Sequence, residues 1–496
     1  MNITVSGIVR TCLVAAAGVG IVVAAMHSQG ALAVASTKPV DTATASANGP
    51  VRSSSLLCPG PELKGIKGVA DLGVGVRVAA AAAPVRALTG SAPATAPGKL
   101  SLTQMPQGSL APDVTSRGAD LVGDLTTPNG VLVSGTESMA AGVAAAQSWL
   151  VPSGDQRSFG TAACGPPGAE FWIMAGGGAP GRQERLLLTN PGGNSVSVDV
   201  TLYGAKGAVA SPNGKGIVVP AHGRTAFLLD SINGDLATPV VHVVADGGVV
   251  GAVVNDLWLD GTRAGGSDDA LPTAAPSRDQ VIPAVTVGGQ SVLRVAVPGS
   301  NEAVVQARVL TAQGPRALPT GGVIRIDGGT VRDIDISALP GNAVGLQVRA
   351  DVPIVAAAMV TRAVPGKPGD FAWTSSTPPI TGVAGMPLAD PAGALTPVRR
   401  FLSLTSSGDS AGVEVVTVDA KGVETSLRQT IGVDATAGVD VTFARSVWVH
   451  RVSGKGEVRA GVIAWLDDAQ GRLITTTPLH DAALRTSTVG LREVAQ

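Results

Sequence analysis

The chain has 496 residues, 45% of them hydrophobic, and its 36 basic and 37 acidic side chains leave a net charge of −1. Chains of this length hold several domains, and this hydrophobic content excludes disorder as the general state. Nucleic acids are bound through clusters of Lys and Arg, but the densest basic spot is the pair Arg399 and Arg400. The composition therefore predicts no nucleic-acid partner.

Residues 1–35 have the pattern of an export segment. Arg10 precedes the apolar stretch 12–26, which as a helix would span roughly 22 Å of a hydrocarbon core that is ~30 Å thick. Ala33–Ala35 before Ser36 fits a signal-peptide cleavage site. Three interpretations stay open: a cleaved signal peptide, an uncleaved N-terminal membrane anchor, and a buried helix of a cytosolic protein. The first two place the rest of the chain outside the cytoplasm.

Residues 36–55 are rich in Ser, Thr, Ala and Pro without periodicity, which predicts a flexible linker. Beyond them the chain contains two cysteines, Cys58 and Cys164. An oxidising compartment would allow them to pair. We predict a Cys58–Cys164 disulfide, with two separate buried thiols as the alternative.

One segment is written three times. The residues LLLTNPGGNSVSVDVTLYGAKGAV begin at Leu186, and similar segments begin at Leu293 and Phe401, aligning without a gap. Each reads as a strand, a polar turn, a second strand and a glycine at one fixed position, which is Gly207, Gly314 or Gly422. Alternation of apolar and polar residues in the second strand predicts a half-buried strand.

The repeat and the spacing of the turns predict an all-β fold of tandem immunoglobulin-like or fibronectin-like β-sandwich modules, preceded by one N-terminal hydrophobic helix. Stretch 130–149 resembles a later hairpin at 239–258, so we interpret the first module as a degenerate copy. In module four, Val416 and Val418 break the alternation, which predicts a strand buried on both faces. The predicted divisions are modules at 56–168, 169–278, 279–380 and 381–480, then a polar tail at 481–496.

No linear motif predicts a catalytic, cofactor-binding or metal-binding residue. The sequence 176–181 satisfies G-x-G-x-x-G, but the following residues read as a strand, whereas a dinucleotide loop needs a helix. Asp256, Asp260, Asp268 and Asp269 form an acidic group that a calcium site could use, with a solvated loop between modules as the favoured interpretation. The five histidines are scattered along the chain, at positions 27, 222, 242, 450 and 480.

Six tryptophans are the candidates for a carbohydrate-stacking platform. Several fall at strand ends, where we favour core packing over sugar binding. They are Trp149, Trp172, Trp258, Trp373, Trp448 and Trp465.

The motif CGPPGAEFW at 164–172, the Gly-rich bend at 176–181, LLLTNPGG at 186–193 and the turn at 219–224 resemble a family of uncharacterised exported proteins of high-GC Gram-positive bacteria. The resemblance implies an N-terminal anchor and a β-rich ectodomain, often encoded beside a glycosyltransferase thought to act in envelope biogenesis. The resemblance implies no site residues. The turn in LLLTNPGG is changed in the two later copies of the repeated segment.

These observations predict an extracytoplasmic, non-enzymatic scaffold or interaction protein of the cell envelope, either membrane-anchored or secreted. The expected partner is an envelope protein or a cell-wall glycan, and no cofactor is expected. A glycan- or wall-binding protein is the alternative, and an enzyme without a linear motif is the third hypothesis.

Overall fold

The computed structural model describes residues 49–61 and 75–485, apart from 107, 210, 234–235, 320–321, 340, 342 and 363–365. The structure is nearly all β, with antiparallel sheets, as the alternation pattern predicted. The predicted export segment 1–35 lies outside the described residues, as does its cleavage site. Within the described ranges, no helix has the length and apolar character needed to cross a membrane.

The strands form four successive modules. Module one contains β1 (Ser53–Cys58), β2 (Val76–Ala82), β3 (Leu100–Gln104), β4 (Asp120–Leu125), β5 (Val131–Thr136), β6 (Val143–Val151) and β7 (Ser158–Ala163). Module two contains β8 (Glu170–Met174), β9 (Arg182–Asn190), β10 (Val196–Gly204), β11 (Gly207–Val209), β12 (Ile217–Val219), β13 (Gly223–Leu228), β14 (Val240–Asp246), β15 (Gly251–Asp260) and β16 (Arg263–Ala270).

Module three contains β17 (Ser277–Val285), β18 (Ser291–Ala296), β19 (Ala303–Thr311), β20 (Gly314–Ala317), β21 (Val323–Ile326), β22 (Val331–Asp335), β23 (Val344–Arg362) and β24 (Asp370–Ser375). Module four contains β25 (Val383–Pro387), β26 (Arg399–Ser407), β27 (Ala411–Asp419), β28 (Glu424–Ile431), β29 (Ala435–Asp440), β30 (Ala444–Gly454), β31 (Glu457–Asp468) and β32 (Gly471–Pro478), and β33 (Asp481–Ala482) follows it. In the described part of the chain the helices are single turns, at Val85–Leu88, Glu137–Met139, Pro212–Gly214 and Asp230–Asn233.

The four modules share one topology of two antiparallel sheets. In module two the first sheet has the order β8-β14-β10 with β11 and β12 at its edge, and the second has the order β13-β9-β15-β16. Module four repeats this as β25-β30-β27-β28 and β29-β26-β31-β32, and module one as β1-β5-β3 and β4-β2-β6-β7. In module three the long strand β23 serves both sheets, pairing with β17 and β19 through its first half and with β18 and β24 through its second.

The three aligned segments occupy the same place in their modules. They form the strand pairs β9 and β10, β18 and β19, and β26 and β27. Gly207, Gly314 and Gly422, at the fixed glycine position, have φ of 112°, 103° and 78°. Side chains other than glycine rarely adopt this backbone region, so the turn after the second strand explains the repeated glycine.

The last strand of each module lies at the centre of a closed ring. β7 contacts β16, β16 contacts β24, β24 contacts β32, and β32 contacts β7 again. Side-chain hydrogen bonds cross from each module to the next at this centre. The donor and acceptor pairs are Trp373 N to Asp268 Oδ2, Ile474 N to Asp370 Oδ2, Thr161 N to Thr475 Oγ1, and Gln147 Nε2 to Asp269 Oδ2.

The two ends of the described chain close the ring between modules four and one. Pro50 forms a β-bridge with Arg485, and the Val51 N–H donates to the Leu484 carbonyl. The predicted linker to residue 55 therefore ends earlier, since β1 begins at Ser53. The predicted tail likewise begins later than residue 481, because β33 pairs with β25.

An apolar cluster fills this junction and includes Trp448 and Val416 of module four together with Leu88 and Ala144 of module one. Val416 and Val418 are both buried, as the broken alternation of β27 predicted. Val413 and Val415 face the core of module four, whereas Val416 faces module one. The broken alternation in β27 is therefore a consequence of the contact that closes the ring.

The predicted disulfide is present, joining Cys58 at the end of β1 to Cys164 just after β7. It links the first strand of module one to the segment that leaves toward module two. Both half-cystines are buried in the core of module one.

Candidate functional site

Three of the four acidic residues of the interval 256–269 are not in a solvated loop, so that prediction is wrong for them. Asp256 lies on β15 and Asp268 and Asp269 lie on β16, and all three are buried, whereas Asp260 is exposed at the strand end. Among the described residues, no group of three or more His, Cys, Asp and Glu side chains is arranged to hold a metal ion. The buried aspartates instead bond to neighbouring strands.

Asp256 belongs to a cluster that fills the contact between modules two and three, which we call the sealed interface. Its five members are Arg182, Asp256, Trp258, Phe371 and Trp373. Arg182 donates from Nη2 to Asp256 Oδ2 at 2.7 Å, and Trp373 Nε1 donates to the same oxygen at 2.8 Å. The Arg182 guanidinium lies 5.3 Å from the Trp258 ring centroid and 5.0 Å from that of Phe371.

Carboxyl groups around the sealed interface have raised pKa values. Burial, with the negative charge of Asp256 next in importance, raises the pKa of Glu184 to about 7. Burial also raises the pKa of Asp268 and of Asp370 well above the ordinary range, and backbone N–H donors only partly oppose it. The dry environment of the ring centre thus favours the neutral form of these carboxyl groups over the charged form.

The contact between modules three and four holds an open pocket instead, which we call the Arg362 pocket. Its volume is about 410 Å³, within the ~300–1,000 Å³ that is typical of small-molecule sites. Module three supplies one wall and module four the other. The lining includes Thr286, Arg362, Phe401, Ile463, Trp465 and Arg472.

The two contacts are equivalent places in the repeat. Val254 of β15 pairs with Leu186, and Ala358 of β23 pairs with Leu293, which is the aligned residue. Four residues further along the same strands stand Trp258 in module two and Arg362 in module three. The position that carries an aromatic ring in the sealed interface therefore carries a cation in the pocket.

Arg362 is held in place by neutral acceptors. It donates from Nη2 to Thr286 Oγ1 at 2.9 Å and from Nη1 to the Thr361 carbonyl at 3.3 Å. Thr286 in turn donates to the Gly341 carbonyl at 3.0 Å. Burial first, and the charge of Arg472 second, lower the pKa of Arg362. Within the part of the chain that the structure describes, no carboxylate forms an ion pair with Arg362.

Arg472 forms the other side of the pocket. Its guanidinium makes two parallel hydrogen bonds to Asp467, at 2.7 and 2.8 Å, and lies 5.5 Å from the Trp465 ring centroid. Trp465 is half-buried against module three. With Asp467 balancing Arg472, the pocket keeps the positive charge of Arg362.

A second, largely apolar cavity of about 250 Å³ lies where segments between modules meet. Its lining includes Pro166, Phe171, Ala274, Pro378 and His480. Burial lowers the pKa of His480, although its side chain keeps some exposed surface.

Of the six tryptophans, Trp149, Trp172, Trp373 and Trp448 are buried in cores, whereas Trp258 and Trp465 are half-buried at contacts between modules. His242 stacks on Trp172 with ring centroids 4.0 Å apart and bonds to Glu170. The glycine-rich bend at 176–181 leads into β9, so no helix follows it, as predicted.

Sequence reasoning missed Arg362 and Arg472 as site residues, because neither belongs to a recognised motif. The available signal was the repeat itself. When modules two and three are aligned, Arg362 takes the position of Trp258. A cation rarely replaces an aromatic ring that packs between modules.

Two solved structures are similar to this chain, but too weakly to support a conclusion about its fold or its function. The crystal structure of Thermotoga maritima 1070 matches at 12% identity and a TM-score of 0.19, covering 20% of this chain and 93% of that chain. A tetra-tandem repeat in the extending region of a large adhesion protein matches at 14% identity and a TM-score of 0.08, covering 78% and 93%. Both scores are too low to support an argument.

No curated protein matches the chain. A family model described as a family of unknown function, DUF5719, matches residues 122–444, from β4 of module one to the start of β30 in module four. The match spans more than half of the chain and all of modules two and three, and the chain therefore belongs to this family.

Proposed function

We propose that the protein is an extracytoplasmic, non-enzymatic scaffold or protein-interaction protein of the cell envelope, exported by its N-terminal segment and either anchored or released. The closed ring of four sandwiches carries this proposal. In the ring each module is held by both of its neighbours, so the outer strands and loops are presented at fixed mutual positions. Such a surface suits the assembly of partners.

The disulfide supports an oxidising location, because cytosolic thiols are kept reduced. The resemblance to exported proteins of high-GC Gram-positive bacteria supports the same location and an envelope role. The proposed partner is an envelope protein.

Fractionation of cells that express the full chain tests the location. We expect the protein in the membrane or the medium, with Cys58 and Cys164 oxidised, and a chain lacking residues 1–35 in the cytoplasm with both thiols free. A full-length protein in the cytoplasm with two reactive thiols would refute export.

Crosslinking in intact cells, followed by identification of the attached proteins, tests the scaffold role. We expect one or a few envelope proteins to be recovered repeatedly with the full chain. Recovery of none, under conditions that crosslink other envelope proteins, would count against a scaffold.

Binding of a cell-wall glycan is a second candidate function, and the half-buried Trp465 in an open pocket favours it. The test is sedimentation of the protein with purified cell wall, measured for the wild type and for Trp465→Leu. Cosedimentation that Trp465→Leu abolishes would support glycan binding, and a wild-type protein that stays in the supernatant would argue against it.

A further inference from the structure

We propose that the Arg362 pocket binds a small organic anion, an acidic sugar that places its carboxylate or phosphate on Arg362 and its ring against Trp465 and Phe401. The inference deepens the second function proposed above, glycan binding, by naming the chemical class of the ligand. It does not depend on the scaffold role.

The charge of Arg362 points to an anionic ligand. The guanidinium is half-buried, and this burial lowers its pKa. Its partners are nevertheless neutral groups, a hydroxyl and a backbone carbonyl. In the sealed interface the buried Arg182 has the carboxylate of Asp256 at 2.7 Å. A half-buried cation without a carboxylate is costly, and an anionic ligand would supply the missing partner.

The fixed orientation of Arg362 also favours binding of an anion. The Thr286 hydroxyl accepts from Nη2 and donates to the Gly341 carbonyl, so the hydroxyl is fixed at both ends. The guanidinium also packs on the backbone at Gly288, where an added Cβ would lie only 1.9 Å from Nη1. An arginine fork that is already oriented loses little entropy when it binds a carboxylate or phosphate.

The shape and lining of the pocket favour a ligand that contains a ring. Ile463 and Ile474 are buried and form an apolar floor, and the half-buried rings of Trp465 and Phe401 stand beside it. Phe401 lies across Gly438, where a Cβ would meet the ring at 2.1 Å. A cation beside an apolar floor matches a ligand with one charged group on a ring.

The sealed interface shows that the fold does not require this pocket. The equivalent contact closes with Trp258 and the Arg182–Asp256 pair, and the last strand of module three supplies Phe371 and Trp373 to it. The opening between modules three and four is therefore a property of the residues present there and not of the ring geometry.

Isothermal titration calorimetry on the purified full chain tests the proposal with four probes: glucuronate, glucose 6-phosphate, glucose and inorganic phosphate. We expect glucuronate or glucose 6-phosphate to bind, and their relative affinity distinguishes a carboxylate ligand from a phosphate ligand. Glucose should bind at least roughly tenfold more weakly than the acidic sugar, because it leaves Arg362 unpaired.

Four variants and a matched control complete the test. Arg362→Gln should weaken the acidic sugar by roughly tenfold or more, and Arg362→Lys should weaken it less, because it keeps the charge but loses the fork. Arg332→Gln removes an exposed arginine from β22 of the same module and should leave the affinity unchanged. Trp465→Phe should retain part of the affinity and Trp465→Leu should lose it.

The proposal is overturned if neither acidic sugar binds in the millimolar range, or if inorganic phosphate binds and the sugars do not, or if Arg362→Gln binds as well as Arg332→Gln. Thermal unfolding of each variant confirms that it is folded. Because the probes are free small molecules, failure to bind them is distinguishable from failure to sediment with cell wall, which tests glycan binding itself.

Discussion

The contact between modules two and three and the contact between modules three and four occupy the same place in a repeated fold, yet one is sealed and the other is open. In the sealed interface, the Arg182–Asp256 pair is almost completely buried, with side-chain exposures of 6% and 0%. In the Arg362 pocket, the Arg472–Asp467 pair is exposed by 47% and 56%. The repeat thus fixes where a contact forms, and the residues present there decide whether it becomes core or cavity.

Breaking the sealed interface should have the largest effect. Asp256→Ala leaves the buried guanidinium of Arg182 without its carboxylate and removes the acceptor of Trp373 Nε1 and of the Gly176 N–H. We expect the free energy of unfolding to fall by about 3–5 kcal/mol, as for other buried pairs that lose one partner. Denaturant unfolding monitored by circular dichroism measures it. A loss no greater than that of a surface aspartate would show that the interface is not a buried ion pair.

The stability of the same interface should depend on pH. Burial raises the pKa of Glu184 to about 7, so between about pH 4.5 and 7 the folded protein holds a proton that the unfolded chain has released. Stability from this group is present at low pH and is lost as the pH rises through that window. Glu184→Gln removes the dependence without removing the acceptor for the Gly177 N–H.

The unfolding free energy of Glu184→Gln minus that of the wild type should therefore increase by up to about 3 kcal/mol from pH 4.5 to pH 8. Urea titrations of both proteins at several pH values provide the measurement. Other titrating groups cancel in the difference. A flat difference would mean that the Glu184 carboxyl is not buried as described.

Filling the pocket should convert the open contact into a sealed one. Arg362→Trp places in module three the residue that module two has at the equivalent position. We expect ligand binding to be abolished and the stability to change by less than about 1 kcal/mol, because the gain from covering the half-buried rings of Phe401 and Trp465 offsets the lost bond to Thr286. Thermal unfolding and calorimetry test both parts, and retained binding of the acidic sugar would place the site elsewhere.

The smallest effect is expected for Asp467→Asn. The Arg472–Asp467 pair is exposed, and pairs of this kind contribute less than about 1 kcal/mol. Removing the carboxylate makes the pocket more positive, so an acidic sugar should bind several-fold more tightly while stability hardly changes. Weaker binding would indicate that Asp467 orients Arg472 for the ligand.

The sequence predicted the sandwich topology because each repeated segment contains two strands and the turn that joins them. The three segments lie at β9 and β10, β18 and β19, and β26 and β27, and the fixed glycine has a positive φ in all three. These features depend on interactions within about 25 residues, and such interactions are legible in a pattern of residues. The disulfide was predictable from the small number of cysteines.

The closure of the ring and the two contacts were not predictable in the same way. Asp256 and Asp268 were expected in solvent because isolated charges usually stay there, but their partners, Arg182 and Trp373, come from distant strands. The phase break at Val416 signalled a second buried face without showing that module one covers it. Whether a cation lies in a core or in a pocket depends on neighbours that no local pattern contains.

The bridge between Pro50 and Arg485 has a consequence for the order of the modules. Because the entry and exit of the ring are adjacent, a short peptide would join them, and new ends could be opened between any two neighbouring modules. A circularly permuted chain that starts at module three should then assemble the same ring. The architecture would therefore not depend on which module comes first in the chain. The same adjacency means that a protein fused after Arg485 would emerge beside the point where the chain enters at Pro50.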